Sequence, residues 1–469
     1  MNKPLIVLAV AALLAGCSLA PVYQRPAAPV RQAWPQGEAY KPAALSPESK
    51  QAPDIAWREF IADAKLRHLI ELALNNNRDL RVSILNIERA RALYGVTNAA
   101  RMPGVNASVG QTAQRIPSNM APNGESTITR QYAAGLGIPA FELDFFGRVK
   151  NLSEAALQQY LGTEEARRSQ QISLVAEVAN AWLTLAADQE RLTLAQDTLK
   201  SEQISYELSR RRFEAGATSG LDMYEAQTSV EAARNDMAIY TAQVGADRNA
   251  LELLAGAPVD PGLLPEGSLQ SVTELAELPE GVPSTVLQRR PDVLSAERSL
   301  QAANANIGVA RAAFFPNISL TASAGSASGN LAGLFKAGAG TWSFVPQLTL
   351  PIFAGGANVA NLKVAKADRD IALAQYEKAI QSAFREVADA LAQHGTLDER
   401  VASQAALTGA SEKSYRIHRA RYQKGTESYL DSLVSQRALY TAQQNLISAR
   451  LAKASNRVTL YKVLGGGAQ

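Results

Sequence analysis

The chain has 469 residues, with 47 lysines and arginines against 44 aspartates and glutamates, and a formal net charge of +3. This length exceeds that of one ordinary compact domain. Because nucleic-acid-binding proteins carry a dominant basic face, the balanced charge argues against a nucleic-acid partner. After the amino-terminal residues no segment holds 18 consecutive apolar residues, so we expect no transmembrane helix. A membrane role must therefore depend on a lipid anchor or on β-strands.

The amino terminus has the pattern of an export signal. Lys3 is positive, and the apolar run from Leu5 to Leu14 is long enough for a signal peptide but too short to span a bilayer. The run ends in a Leu-Ala-Gly-Cys motif that resembles the lipobox of bacterial lipoproteins. We predict a signal peptide over 1–16 and lipidation of Cys17, the alternative being an ordinary signal peptide. A single cysteine excludes a disulfide within one chain.

The chain is an internal duplication. Sliding the sequence by about 210 residues aligns identical residues of the two halves in a constant order. We therefore predict two structural repeats, 61–257 and 284–469, joined by a linker over 258–283 and preceded by an extended segment over 17–60. The aligned pairs include Asp79 with Asp292, Gly95 with Gly308, Arg212 with Arg421, Gly216 with Gly425, Ser219 with Ser428, and Asp222 with Asp431.

The first predicted helix of each repeat, over 79–101 and 292–314, stops before a proline and is followed by two amphipathic strands. We place these strands in β-hairpins over 103–143 and 316–353. Within the second hairpin Ile318, Leu320 and Ala322 alternate with small polar residues, a pattern of period two that is typical of a strand with one apolar and one polar face. Such segments are a weak signature of an outer-membrane barrel. Taken alone, the pattern also fits the face of a soluble β-sandwich.

Long helices follow each predicted hairpin. Proline is absent from Ala140 to Ala257 and from Ile352 to the end, although the chain has 21 prolines elsewhere. Since proline costs roughly 3 kcal/mol inside a helix, these gaps favour continuous helices. At 1.5 Å per residue the longest would approach ~100 Å, which suits a coiled-coil or tubular assembly. The predicted helices are 147–213, 219–256, 356–423 and 428–464.

The junctions between paired long helices share one pattern. A glycine suited to a left-handed helix terminus precedes a serine suited to an N-cap, and an acid follows three residues later. We interpret the glycines as hairpin hinges. The residues are Gly216, Ser219 and Asp222 in the first repeat, and Gly425, Ser428 and Asp431 in the second.

The strand number predicts an oligomer. Four strands per chain cannot close a barrel, because the smallest spanning barrels have eight, and an open sheet would leave unpaired edge groups in lipid. Two chains would leave little lumen, whereas three supply twelve strands and an aqueous bore. The predicted fold class is an α+β membrane protein, a trimeric 12-stranded outer-membrane β-barrel continued by a long periplasmic α-helical barrel.

Several short runs are specific enough to carry a family resemblance. They are RRPD at 289–292, NIGVARAAFFP at 306–316, LPIF at 350–353, LYKVLGGG at 460–467 and FFGR at 145–148. These runs resemble the outer-membrane efflux family of TolC-like channels. Together with the lipobox they place the chain nearest the lipoprotein branch that serves resistance-nodulation-division (RND) multidrug pumps.

The resemblance implies a function and partners. It implies a homotrimer in the outer membrane of a Gram-negative bacterium that extends into the periplasm. The trimer would join a periplasmic adaptor (membrane fusion) protein and a proton-driven inner-membrane RND transporter. It would be the passive exit duct for antibiotics and other small toxic compounds. The stretch from Pro21 to Pro53 would wrap the outside of the tube, and 258–283 would belong to an equatorial belt.

The resemblance also implies where the channel narrows. In the family, acids spaced by three on the second helix of the carboxy-terminal pair ring the bore, and a base follows three residues later. Asp431 matches the first acid and Arg437 matches the base, whereas Val434 replaces the second acid. Leu430 and Val434 are therefore expected to form a partly apolar constriction. Contact with the adaptor would untwist the hairpins and dilate this mouth.

Two further positions belong to the predicted periplasmic gate. Tyr422 matches a family tyrosine that ties neighbouring hairpins shut. Asp222 is the repeat counterpart of Asp431 and lies in the same Ser-x-x-acid pattern, so Asp431 is equally well explained as a helix cap. Glu427 stands where some members of the family have arginine, which leaves the detailed latch open.

No residues form a catalytic constellation. His68, His394 and His418 are scattered and lack the carboxylate spacing of a metal site. We therefore expect no enzyme activity, no metal and no cofactor. Two other functions remain as alternatives: a type I secretion duct, which has the same fold and passes proteins, and a structural coiled-coil lipoprotein without a pore. The coiled-coil alternative predicts no amphipathic strands.

Overall fold

A computed structural model describes residues 18–40, 52–120, 124–267, 269 and 284–467. The predicted signal peptide 1–16, the predicted lipidation site Cys17 and most of the linker 258–283 lie outside these residues. Among the described residues, no helix combines the length and the apolar character needed to cross a membrane.

Helices make up most of the regular structure of the described residues. Two of them, α4 and α7, contain 67 residues each, close to the lengths predicted for the first long helix of each repeat. The helices are α1 (Trp57–Phe60), α2 (Ala64–Asn76), α3 (Arg78–Ala99), α4 (Arg148–Glu214), α5 (Gly220–Ala255), α6 (Pro291–Ala312), α7 (Ala357–Gln423) and α8 (Tyr429–Val463).

The chain divides into two compact units. The first, here called the sheet unit, comprises Met1–Ala27, Asn86–Thr163 and Ser295–Tyr376. The second, the bundle unit, contains most of the helical residues. It comprises Ala28–Leu85, Glu164–Leu294 and Glu377–Gln469.

The sheet unit contains one four-stranded antiparallel sheet in the order β1-β2-β3-β4. The two predicted hairpins join because β2 pairs with β3, so the sheet crosses the repeat boundary. A register shift between Ile138 and Phe141 accompanies a left-handed Ala140, with φ of 33°. The strands are β1 (Asn106–Ile116), β2 (Thr127–Glu142), β3 (Asn317–Ser328) and β4 (Gly340–Thr349).

The strand register gives the sheet two chemically different faces. On one face Trp342 pairs with Ala324 and Phe344 pairs with Ala322. On the other face the neighbouring residues are small and polar, since Ser343 pairs with Ser323 and their hydroxyl oxygens lie 2.8 Å apart. Successive side chains of a strand point to opposite faces, so the observed register matches the predicted alternation.

The amino-terminal segment of the sheet unit binds along α6. The Asn304 amide donates to the Pro21 carbonyl oxygen at 2.7 Å, and the Arg311 guanidinium donates to the Leu19 carbonyl oxygen at 2.9 Å. Arg25 forms an ion pair with the nearly buried Glu297 at 2.6 Å. Residues 18–40 contain no helix or strand, whereas α1 begins at Trp57, within the segment predicted to be extended.

Helix α2 of the bundle unit is absent from the sequence prediction. Its buried residues, Leu66, Leu69, Ile70 and Ala73, follow the i, i+3, i+4, i+7 spacing of one apolar helix face. They join Trp182 and other apolar residues in the main core of the unit. This spacing was the sequence signal for α2. The helix lies before the part of the chain in which the repeat is visible.

The LGGG motif near the carboxyl terminus surrounds a buried aromatic pair. Phe60 stacks on Tyr461 with ring centroids 4.0 Å apart, and the Tyr461 hydroxyl donates to the Ile55 carbonyl oxygen at 2.6 Å. A Cβ atom on Gly466 would lie 2.2 Å from the Tyr461 ring. The glycine therefore lets the chain pass directly over this ring.

Candidate gate at the helical hairpins

Two helical hairpins in the bundle unit contain all of the predicted gate residues. Helices α4 and α5 are joined through Gly216, whose φ is +70°, and α7 and α8 are joined through Gly425, whose φ is +75°. The amide of Ala217 donates to the Arg212 carbonyl oxygen at 2.8 Å, and the amide of Thr426 donates to the Arg421 carbonyl oxygen at 3.0 Å. Helices α4 and α7 thus both end at a glycine in the left-handed conformation, as the sequence predicts.

The two hairpins differ at the next helix start. The Ser428 hydroxyl oxygen accepts a hydrogen bond from the Asp431 amide at 3.2 Å and lies 2.6 Å from an Asp431 carboxylate oxygen. Ser219 stands at the N-cap position of α5 with an extended backbone, as predicted, but makes no capping hydrogen bond through its side chain. Asp431 therefore takes part in a cap, and Asp222 lies half-buried in the first turn of α5 without one.

This difference leads to a test of local stability. Ser428→Ala should weaken the start of α8 by about 0.5–2 kcal/mol, because it removes an N-cap oxygen. Ser219→Ala is the matched control and should weaken α5 less. Amide hydrogen exchange at residues 429–433 and 220–224 measures both effects. Equal losses of protection in the two variants would contradict the assigned caps.

Four predicted gate residues lie on one exposed face of α8. Leu430 is 52% exposed and Val434 is 58% exposed, and Asp431 and Arg437 are also exposed. Residues at i, i+4 and i+7 share a helix face, which brings the four together. The opposite face is buried and carries Leu433. The exposed face is thus turned away from the buried cluster that contains Leu433.

Tyr422 does not belong to that face. It is buried and packs against Tyr429, with ring centroids 5.4 Å apart, in a small cluster with Leu433 and Ala226. The Arg212 guanidinium lies 4.9 Å from the centre of the Tyr422 ring. The Tyr422 hydroxyl also lies 3.4 Å from the hydroxyl oxygen of Ser209. Tyr422 therefore connects the two hairpins of one chain.

Glu427 and His418 meet beside the second hairpin. A carboxylate oxygen of Glu427 lies 3.0 Å from His418 Nδ1 and 3.9 Å from the Arg421 guanidinium. Glu427, which stands where some family members have arginine, therefore lies beside His418 and Arg421 at the end of α7.

One acidic residue of this region, Glu202, has no role among the sequence predictions. Glu202 of α4 is only 4% exposed, and one of its carboxylate oxygens has no hydrogen-bond partner. Burial raises the pKa of the Glu202 carboxyl to about 7, and the Arg437 guanidinium opposes that rise. The available signal was its spacing from Leu199 and Ser209, two buried residues of the same helix.

Comparison with known proteins gives consistent matches over the whole chain. The family described as "Outer membrane efflux protein" matches residues 69–257 and 282–466. The toluene efflux pump outer membrane protein TtgC of Pseudomonas putida is 49% identical, over 100% of this chain and 96% of that protein. The outer membrane protein OprJ of Pseudomonas aeruginosa is 43% identical, over 100% of this chain and 97% of that protein.

A solved structure agrees with these matches. The open state of the MtrE outer membrane channel of Neisseria gonorrhoeae superposes with a TM-score of 0.86 and 37% identity, covering 97% of this chain and 99% of that one. The α+β architecture and the resemblance inferred from the sequence are thereby confirmed. The chain belongs to the outer membrane efflux protein family.

Proposed function

We propose that this protein is the passive outer-membrane exit duct of a tripartite RND efflux pump, and that three chains form one duct. Its cargo would be antibiotics and other small toxic compounds. The observation that carries the proposal is the four-stranded sheet with one apolar and one polar face. Relatives named as efflux pump outer membrane proteins support the same function. A passive duct carries out no chemical step, and the inner-membrane part of the pump would supply the energy for transport.

The two edges of the sheet favour an assembly of three chains. β1 and β4 each have one neighbour within the chain, so each exposes a row of backbone hydrogen-bonding groups. In hydrocarbon every such group must be paired, and pairing β1 of one copy with β4 of the next satisfies both edges. Three copies supply twelve strands, enough to enclose a water-filled bore.

The partners follow from the role of a duct. A passive outer-membrane channel needs an inner-membrane transporter to drive its cargo, and a periplasmic adaptor to join the two. The names of the relatives describe them as the outer-membrane members of efflux pumps, which supports this arrangement. We expect an RND transporter and a membrane fusion protein as the partners, and outer-membrane lipid around the barrel.

The gate would be formed by the exposed face of α8. Leu430, Asp431, Val434 and Arg437 share that exposed face, so they are placed to line the mouth between neighbouring copies, and Arg437 also interacts electrostatically with the buried Glu202. In the resting duct the hairpins over 425–437 and 216–228 would converge there. Adaptor contact would separate them about Gly216 and Gly425.

Single-channel conductance in planar bilayers tests the gate. Asp431→Ala or Arg437→Ala should raise the resting conductance, because each removes a charged side chain that narrows the mouth. Ser428→Ala is the matched control, since it removes the capping partner of Asp431 and keeps the acid. Unchanged conductance in Asp431→Ala, or an equal rise in Ser428→Ala, would leave Asp431 with the capping role alone.

Complementation tests the function as a whole. Expression in a strain that lacks its efflux channel should restore resistance to antibiotics when a matching adaptor and RND transporter are present. A type I secretion duct would instead restore export of a secreted protein and leave drug susceptibility unchanged. That second result would replace the proposed function with the alternative.

A further inference from the structure

Glu202 is a buried carboxyl group whose ionised form is poorly stabilised by its surroundings. Its side chain lies on α4, is 4% exposed, and leaves one carboxylate oxygen without a hydrogen-bond partner. Burying an ionised carboxylate without partners is costly, whereas the protonated form loses much less on leaving water. The packed helices around Glu202 therefore favour its neutral form.

Two groups of α8 interact electrostatically with Glu202. Tyr429 of α8 interacts electrostatically with Glu202, and its own buried hydroxyl has no hydrogen-bond partner. Arg437 of α8 is the cation that favours the ionised carboxyl. Burial raises the pKa of the Tyr429 hydroxyl, and Glu202, Tyr422 and Tyr415 of α7 and Glu225 of α5 raise it further.

Helices α4 and α8 are packed against each other beyond this point as well. The Arg191 guanidinium of α4 donates to the Ser448 hydroxyl oxygen of α8 at 2.8 Å. Arg450 of α8 lies 3.7 Å from the Glu190 carboxylate of α4. Separation of the two helices near Glu202 would therefore be a local movement at the hairpin end.

We propose that Glu202 is a further gating residue that acts as a proton-operated latch between α4 and α8. With its carboxyl protonated the two helices stay packed, and with its carboxyl ionised they separate more readily. Opening exposes the carboxyl to water and releases its proton. Only the step from helix separation to a wider mouth rests on the proposed function.

The direction of the pH dependence follows from linkage. Burial raises the pKa of Glu202 from 4.5 to about 7 in the packed arrangement. A group with a raised pKa stabilises the packed arrangement most at low pH, and this contribution is lost as the pH rises toward 7. Above pH 7 the carboxyl is ionised in both arrangements, and the stability of the packed arrangement then no longer changes with pH.

The latch is tested by hydrogen exchange on the full-length protein at pH 5.5 and 8.5. Protection factors, corrected for the intrinsic exchange rate, are measured for residues 199–206 and 429–437. The wild type should lose protection by roughly tenfold or more at the higher pH. Glu202→Gln should stay protected at both values, and Glu202→Asp should restore the dependence. Glu207→Gln, which removes an exposed acid paired with Arg210 on the same helix, should behave as wild type.

Two outcomes would overturn the latch: a wild type whose protection does not change with pH, or a Glu202→Gln variant that keeps the wild-type dependence. The wild-type series decides the first even if a variant fails to assemble. Bilayer conductance measured at the same two pH values separates the latch from the proposed function. Protection that changes with pH in a protein that never conducts would contradict the duct and leave the latch standing.

Discussion

Phe344→Arg is expected to prevent stable assembly in the outer membrane, whereas Val345→Arg, one residue further along β4, is expected to be tolerated. Phe344 is 59% exposed and pairs with Ala322 on the apolar face of the sheet. Val345 pairs with Thr321 on the polar face. An arginine facing lipid costs about 2–4 kcal/mol at the bilayer midplane, and an assembly of several chains would bear that cost in each. On the polar face the same side chain would meet water.

The measurement is the amount of folded oligomer in isolated outer membranes, detected by gel migration before and after heating. Phe344→Arg should reduce the folded band severely, and Val345→Arg should leave it near the wild-type amount. The tolerated variant should also shift the ion selectivity of the channel, because its charge would lie in the bore. Equal losses in both variants, or the reverse order, would show that the two faces are wrongly assigned.

Gly256→Ala is expected to destabilise the bundle unit by about 2–4 kcal/mol. Gly256 ends α5 with a φ of +67°, which strains any residue with a side chain. A Cβ atom there would lie 2.3 Å from the Asn76 carbonyl oxygen and 3.0 Å from the Asn77 amide nitrogen. Those backbone atoms cannot rotate away as a flexible side chain would. Displacement of Asn77 would also break the hydrogen bond that its side-chain amide donates to the Leu254 carbonyl oxygen at 2.9 Å.

Gly245→Ala is the matched control for this substitution. Gly245 lies within the same helix, and a Cβ atom there would contact nothing within 4 Å. Alanine in a helix interior is favoured over glycine by roughly 0.5–1 kcal/mol, so this variant should be slightly more stable than wild type. Denaturant unfolding followed by tryptophan fluorescence reports on both, since Trp57 and Trp182 lie in the main core. Similar midpoints for the two variants would contradict the close approach at Gly256.

The fold was predictable where local chemistry repeats along the chain. Proline-free stretches place the long helices within a residue or two of α4 and α7. The period-two alternation likewise gives the faces of β3 and β4. Helix α2 was missed because it precedes the visible repeat. The register shift between Ile138 and Phe141 leaves no clear pattern in the sequence, because a bulge depends on how the neighbouring strand pairs.

The candidate gate was predictable only in part. The helical period brings Leu430, Asp431 and Val434 to one exposed face, as their spacing requires. The spacing on α8 does not indicate Glu202, because Glu202 lies on α4 and its cationic partner Arg437 is distant in the sequence. The missing side-chain bond at the Ser219 N-cap has a similar cause, since the same Ser-x-x-Asp motif meets different surroundings in the two repeats after folding.

The difference between the starts of α5 and α8 affects the symmetry of the proposed mouth. Three chains would place six hairpins around the axis, three with a side-chain bond fastening the turn at Ser428 and three without one at Ser219. Hairpins with the capping bond would be stiffer at their turns than hairpins without it, and the two kinds would alternate around the ring. An applied force would bend the hairpins without the capping bond first, so dilation would proceed with threefold symmetry, even though the duplicated chain suggests sixfold.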